Sequence, residues 1–217
     1  MLEVKNIFVR YDSGGSAPAL QDVSFSLAKG ERMALVGNNG AGKSTLFLTL
    51  VGILIPEQGS VIFDGLELRN GTASDIINTF RRRIGLVMQN PDDQLFMPTV
   101  YDDIAFGLRS QNMAEEEIEK RADTIMKALG IEALKDRLTH RLSGGEKRLA
   151  VLAGVLVMEP DLLLLDEPAT FLDLPGRKRL IEILKCLSQS MIIATHDLDM
   201  ADRFCSHTLR LDQGCIG

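Results

Sequence analysis

The 217-residue chain has few cysteines, no long apolar run and fewer positive than negative charges, and each shortage excludes something. Its three cysteines, Cys186, Cys205 and Cys215, are odd in number and late in the chain. They imply no disulfide framework and fit a reducing cytosol. Cys205, His207 and Cys215 match no established metal-site spacing. The longest apolar stretch, LAVLAGVLVM from Leu149 to Met158, is about half the length that a bilayer-crossing helix needs. The N-terminal MLEVKNIFVR alternates like a strand and lacks the apolar core of a secretory signal. Any membrane role is therefore expected to be peripheral. The net charge of −6 argues against non-specific nucleic-acid binding, which needs a basic face, but leaves room for a small anion held by local geometry. There are no repeats, low-complexity segments or linkers.

What remains is ordinary globular material, 45% hydrophobic and 25% charged, long enough to bury a core. LEVKNIFVRY and LQDVSFSLAKGE read as antiparallel strands around a turn containing Gly14 and Gly15. RMALVG reads as a short strand, GKSTLFLTLVG as a helix ending at Gly52, and GSVIFDG as another strand. IGLVMQ, DLLLLDE and MIIATHD are apolar runs of strand length that end in polar residues, the pattern of strands buried on both faces of a parallel sheet. Between Gln89 and Asp161 the pattern turns helical. AEEEIEKRADTIMKALG has acids first and Gly130 as its stop, and SGGEKRLAVLAGVLVME follows. The expected organisation is one α/β domain over 1–217. A strand-rich core of 1–90 and 159–217 carries a helical insertion at about 91–158. Arg81, Arg82 and Arg83, at a helix end, are expected to be a solvated cluster offsetting the helix dipole. Met33, Met88, Met126 and Met158 fall among apolar residues and are expected in the core.

GNNGAGKST spans Gly37, Asn38, Asn39, Gly40, Ala41, Gly42, Lys43, Ser44 and Thr45 and fits G-x-x-x-x-G-K-[ST] between a strand and a helix. Its glycines let the backbone turn tightly and aim N–H groups at phosphate oxygens. The helix N-terminus adds positive potential, Lys43 a point charge for the β- and γ-phosphates, and the Ser44 hydroxyl a ligand for Mg²⁺. LLLLDEP sets Asp166 and Glu167 just beyond a buried strand, where parallel sheets bind ligands. There Asp166 suits Mg²⁺, directly or through water, and Glu167 suits orienting or deprotonating an attacking water. Ser143, Gly144, Gly145 and Glu146 open a helix and satisfy a capping box. Two glycines in a first turn weaken a helix by up to about 1 kcal/mol each, and a capping box does not need them. They suit a backbone that must approach an anion closely.

The ordered set GNNGAGKST, Gln89, LSGGE, LLLLDEP, FLD and ATHD resembles the ATP-binding-cassette ATPase family over essentially the whole chain. The resemblance implies a P-loop NTPase (RecA-like) core with an N-terminal antiparallel β subdomain and an inserted α-helical signature subdomain, working on ATP with Mg²⁺. It implies that Tyr11 stacks on adenine and that Lys43 and Ser44 hold phosphate and metal. Gln89 becomes the sensor of Mg²⁺ and water, Glu167 the catalytic carboxylate and His196 the γ-phosphate switch. Ser143, Gly144 and Gly145 contact the γ-phosphate bound to the opposite subunit, and Asp173 communicates across the dimer. One phosphate loop and one signature helix then require a second ATPase subunit, either another copy or a paralogue. The chain departs from the family at Phe171, where a glycine is common, and at Glu146, where many members have glutamine.

QNPDDQLF (Gln89–Phe96) followed by PTVYDDIAFGL resembles the ATPases of energy-coupling-factor importers, the cobalt- and nickel-importing branch above all, with vitamin importers sharing the segment. This branch implies a transmembrane coupling protein docked near Gln89–Phe96, a substrate-capture membrane protein engaged indirectly, and a place at the cytoplasmic face of the cell membrane. Leu95 and Phe96 would line a groove for a partner's coupling helix, or else bury against the helical subdomain. Other cassette transporters, a soluble cassette ATPase acting on DNA or ribosomes, and a non-hydrolysing regulatory module are the alternatives. The charge balance and the presence of both Glu167 and His196 weigh against the last two.

Overall fold

A computed structural model describes residues 1–11, 17–170, 172–196, 201–202 and 204–217. The turn expected at Gly14 and Gly15, and Phe171, lie outside these residues. The described residues cluster into two compact units. One comprises Met1–Leu86, Asp161–Glu167 and Ser188–Gly217, the other Val87–Pro160 and Pro168–Leu187.

In the first unit the order along the chain is β1 (Leu2–Val9), β2 (Leu20–Leu27), β3 (Arg32–Val36), α1 (Lys43–Leu50), β4 (Gln58–Phe63), β5 (Leu66–Leu68) and α2 (Ser74–Arg83). Next come β6 (Ile84–Val87), which ends one residue into the second unit, then β7 (Leu162–Asp166), β8 (Ser190–Ala194), β9 (His207–Asp212) and β10 (Cys215–Ile216). Among the described residues the strands form two sheets. One is antiparallel, in the order β2-β1-β4-β5. The other has the order β10-β9-β3-β8-β7-β6, with β9, β3, β8 and β7 parallel. Every residue of β7 and β8 is buried, the reason both read as unbroken apolar runs. Leu46, Phe47 and Leu50 of α1 join Leu2, Val4, Val61, Phe63, Leu164 and Ile192 in one hydrophobic core. Each such fully buried side chain contributes about 1.5–3 kcal/mol.

In the second unit α3 (Val100–Arg109), α4 (Glu115–Leu129) and α5 (Gly144–Leu156) are followed by α6 (Leu174–Cys186). Each start has a local cause. Thr99 caps α3 by accepting from the Asp102 N–H, and Asp173 caps α6 by accepting from the Gly176 N–H. Helix α4 opens on Glu115, Glu116 and Glu117 and stops at Gly130 in left-handed backbone.

Two expectations need correction. Met33 and Met126 are core residues, but Met88 and Met158 are only half-buried. The arginine cluster is not uniformly solvated. Arg81 donates to the Gly52 carbonyl at 2.9 Å. Arg83 lies 4.8 Å from the Phe63 ring centroid and bridges Asp64 and Asp161 at 2.5 and 2.7 Å. Its partners are distant in sequence, so charge at a helix end reveals none of them. Arg83→Ala is therefore expected to lower the unfolding free energy by about 1 kcal/mol, allowing for solvent screening of a part-exposed pair. Arg82→Ala, at an exposed position, should stay within about 0.5 kcal/mol. Urea denaturation of the two variants checks the contrast.

Candidate active site

Three neighbouring parallel strands deliver the candidate groups to one sheet edge. Leu35 of β3 and Asp166 of β7 both pair with Ala194 of β8, so the three residues form a single row. The ladder runs one step further: the Thr195 N–H donates to the Leu35 carbonyl at 3.1 Å, and the Glu167 N–H to the Ala194 carbonyl at 2.9 Å. Just past this row the chain leaves the sheet on all three strands. Gly37–Gly42 follow β3, Glu167 follows β7, and His196 follows β8.

The phosphate loop turns through an Ala41 N–H to Asn38 carbonyl bond of 3.1 Å and enters α1 at Gly42. Gly42 has φ +106°, and a Cβ there would sit 2.9 Å from the Ala19 carbonyl oxygen, so both conformation and space demand glycine. No side chain caps α1, whose first turn can direct N–H groups at an anion. Lys43 is buried, and its ammonium donates back to the Gly37 and Asn38 carbonyls at 2.7 and 3.2 Å. A positive group is thereby held over the loop. The Ser44 hydroxyl donates to Asp166 Oδ2 at 2.8 Å. Hydroxyl and carboxylate oxygens at this separation suit a hard cation such as Mg²⁺. Tyr11 is 63% exposed, and its hydroxyl shares a 2.9 Å hydrogen bond with the Thr45 hydroxyl, at the start of α1.

Glu167 is buried, and its carboxylate lies 2.8 Å from His196 Nδ1, while His196 is 76% exposed. The backbone of Glu167 is left-handed, φ +46°, which costs a non-glycine residue about 1–2 kcal/mol. Strain of this kind persists where a side chain must be aimed. No local sequence signal announces it, since DE after an apolar strand is compatible with relaxed backbone.

The second unit holds the remaining candidates. Ser143 and Glu146 form the expected capping box at the start of α5: the Ser143 side chain accepts from the Glu146 N–H, and Glu146 Oε2 accepts from the Ser143 N–H at 2.7 Å. The second Glu146 oxygen accepts from Arg137 at 3.0 Å, a use that a glutamine amide could not duplicate with both atoms. Donation by the Ser143 backbone holds the Glu146 carboxyl below its ordinary range. Among the described residues a Cβ on Gly145 would meet only the Leu172 side chain, at 3.6 Å, so their packing does not require glycine there. Asp173 caps α6, the local role its residue type favours.

Gln89 is exposed, and its carbonyl accepts from Arg148. Leu95 is half-buried, whereas Phe96 is 64% exposed and packs edge-on against Phe106, ring centroids 4.8 Å apart. The Asp103 carboxylate fixes that turn by accepting from the Phe96 and Met97 N–H groups, each at 3.0 Å, and burial raises its pKa. Arg148 and Asp103 escape sequence reasoning. The one available signal is a charge set in or beside an apolar helix face. No helix among the described residues is long and apolar enough to cross a membrane.

A strand–loop–helix phosphate cradle with carboxylates and a histidine beyond neighbouring parallel strands defines the chain as a P-loop nucleotide-hydrolysing protein. A sequence profile described as ABC transporter matches residues 20–170, and the chain belongs to that family as one of its ATPases. It is 41% identical over 217 residues to the energy-coupling factor transporter ATP-binding protein EcfA of Methanothermobacter thermautotrophicus, covering 99% of this chain and 68% of that protein. Against EcfA3 of Clostridium perfringens the identity is 41% over 220 residues, with 100% and 76% covered. Among solved structures it resembles cbiO1 from Clostridium perfringens, part of the ABC transporter complex cbiONQ, with TM-score 0.87, 40% identity and coverage of 100% and 86%. It also resembles the dimeric cassette MJ0796 bound to ADP and Pi, with TM-score 0.89, 27% identity and coverage of 100% and 96%.

Proposed function

We propose that this chain is the ATP-hydrolysing subunit that energises an energy-coupling-factor importer, with cobalt or nickel ions or a vitamin as cargo. The observation that carries the hydrolytic part is the row Leu35–Ala194–Asp166, because it brings the phosphate loop, Ser44, Asp166, Glu167 and His196 to one edge. Gly37–Thr45 bind the phosphates, with Lys43 as their counter-charge, and Tyr11 covers the base. Ser44 and Asp166 would hold Mg²⁺, which when bound neutralises phosphate charge, and Gln89 would sense it. Glu167 orients and deprotonates the attacking water, and its bond to His196 keeps both groups aimed at the γ-phosphate. The bland role of Ser143 and Glu146 as a capping box is real. Spare room at Gly145 supports a second one: with Gly144, and with Asp173 at the same junction, it faces the nucleotide of a second ATPase subunit. Hydrolysis then requires dimer closure.

The importer part rests on the similarity to energy-coupling-factor ATPases and on the exposed Phe96–Phe106 pair, held by Asp103. Solvent-facing aromatics on a fixed turn suit a partner's apolar helix. We place the chain on the cytoplasmic face of the membrane, with the coupling protein at Gln89–Phe96, the capture protein reached through it, and no nucleic-acid partner. The chain is one ATPase domain over 1–217, with its helical part at about 91–158.

Glu167→Gln keeps the shape and removes the base. Its turnover should fall at least about 100-fold, in the range that general-base catalysis supplies, and ATP should trap a dimer on size exclusion. Unchanged hydrolysis would falsify the catalytic assignment. Replacing Leu95 and Phe96 together by glutamate should release the subunit from its membrane complex while ATP binding stays intact. Persistent membrane association of that variant would leave the docking surface elsewhere.

A further inference from the structure

We infer that Arg148 is a positioning residue whose guanidinium locks the backbone of Gln89 onto α5, so that Gln89 and Ser143–Gly145 move as one body. The inference rests on the roles proposed above for Gln89 and the start of α5.

Arg148 is 2% exposed on a helix whose neighbouring Ala150, Val151 and Leu152 are also buried. Its two terminal nitrogens donate to successive carbonyls, Met88 at 2.6 Å and Gln89 at 2.5 Å. The planar fork spans both at once, which a lysine ammonium, a single point donor, does not reproduce. A charge this deep is costly to desolvate, and an apolar residue of similar volume often serves packing equally well. The charge is therefore better explained by what it holds than by stability.

What it holds is a short loop already closed on itself. The Met88 N–H donates to Gln94 Oε1 at 2.8 Å, and the Asn90 side chain accepts from the Asp92 N–H at 3.2 Å. Lys147, adjacent to Arg148, reaches the far side of the same loop and pairs with Asp92 at 2.5 Å. A cavity of about 240 Å³ bordered by Asn90, Asp92, Gly144 and Lys147 lies beside this grip. Side-chain bonds thus fasten the loop to the helix. Ser143 begins that helix five residues before Arg148, and a helix transmits displacement along its axis as a stiff rod. A shift of Gln89 must carry Ser143–Gly145 with it. The nucleotide sensed by Gln89 and the nucleotide contacted by the start of α5 belong, in the proposed dimer, to different sites, and Arg148 couples them.

A double-mutant cycle on the full chain tests this, with steady-state ATP turnover and thermal unfolding measured for Arg148→Lys, Gln89→Ala and the pair. Arg148→Lys should lower kcat about tenfold with KM changed less than about twofold. In the Gln89→Ala background it should lower kcat less than about twofold, while its effect on Tm persists in both. Equal kcat losses in the two backgrounds would mean that Arg148 is merely structural and would overturn the inference. A Gln89→Ala variant with undiminished turnover would overturn it differently, by removing the sensor role on which it rests. Should Arg148→Lys not fold, Lys147→Ala provides the same comparison at a part-exposed position. A two- to threefold loss of kcat that vanishes in the Gln89→Ala background supports the coupling, and an equal loss in both contradicts it.

Discussion

The site depends on one register. Ala194 pairs with Leu35 on one side and Asp166 on the other, so three parallel strands end level with one another. In that arrangement a residue's offset from the row dictates what it can do. Glu167 is one residue beyond, His196 two, and the phosphate loop starts two residues after Leu35. Because strands β7 and β8 are buried on both faces, a one-residue slip would turn every side chain over and misplace the charged groups together. Hydrophobic burial along the strands therefore sets the geometry of the polar chemistry at their ends.

Electrostatics finish what burial begins. The cluster Lys43, Ser44, Asp166, Glu167 and His196 satisfies itself by hydrogen bonds within the chain: ammonium to loop carbonyls, hydroxyl to carboxylate, carboxylate to imidazole. The left-handed Glu167 keeps its side chain aimed at a cost in backbone energy, which the fully buried strand preceding it sustains. The second unit follows the same logic on a helix, where the capping box of α5 and the buried Arg148 fix backbone groups through side chains.

Much of this was legible in the sequence because its signals are local. Apolar runs of strand length mark β7 and β8, a glycine motif marks the phosphate loop, and acids at one end with Gly130 at the other mark α4. The parallel sheet and the antiparallel sheet follow from those patterns. What stayed hidden depends on partners far along the chain. Arg83 looks like a solvated helix end until Asp64, Asp161 and Phe63 are brought to it. Arg148 looks like one charge in a basic pair until the carbonyls of Met88 and Gln89 meet it. The Tyr11 hydroxyl finds Thr45 across 34 positions. Strain at Glu167 is invisible for another reason: residue type does not encode a non-glycine left-handed turn.

In the proposed function, Ser44 and Asp166 form one divalent-cation site that assembles with nucleotide at the strand ends. Nucleotide-dependent Mn²⁺ binding, followed by electron paramagnetic resonance with a non-hydrolysable ATP analogue, tests it most directly. The account predicts tight binding in the unaltered chain, weakened at least about tenfold by Ser44→Ala and by Asp166→Asn, each of which removes an oxygen ligand or its charge. Mn²⁺ binding that both substitutions leave unchanged would contradict it.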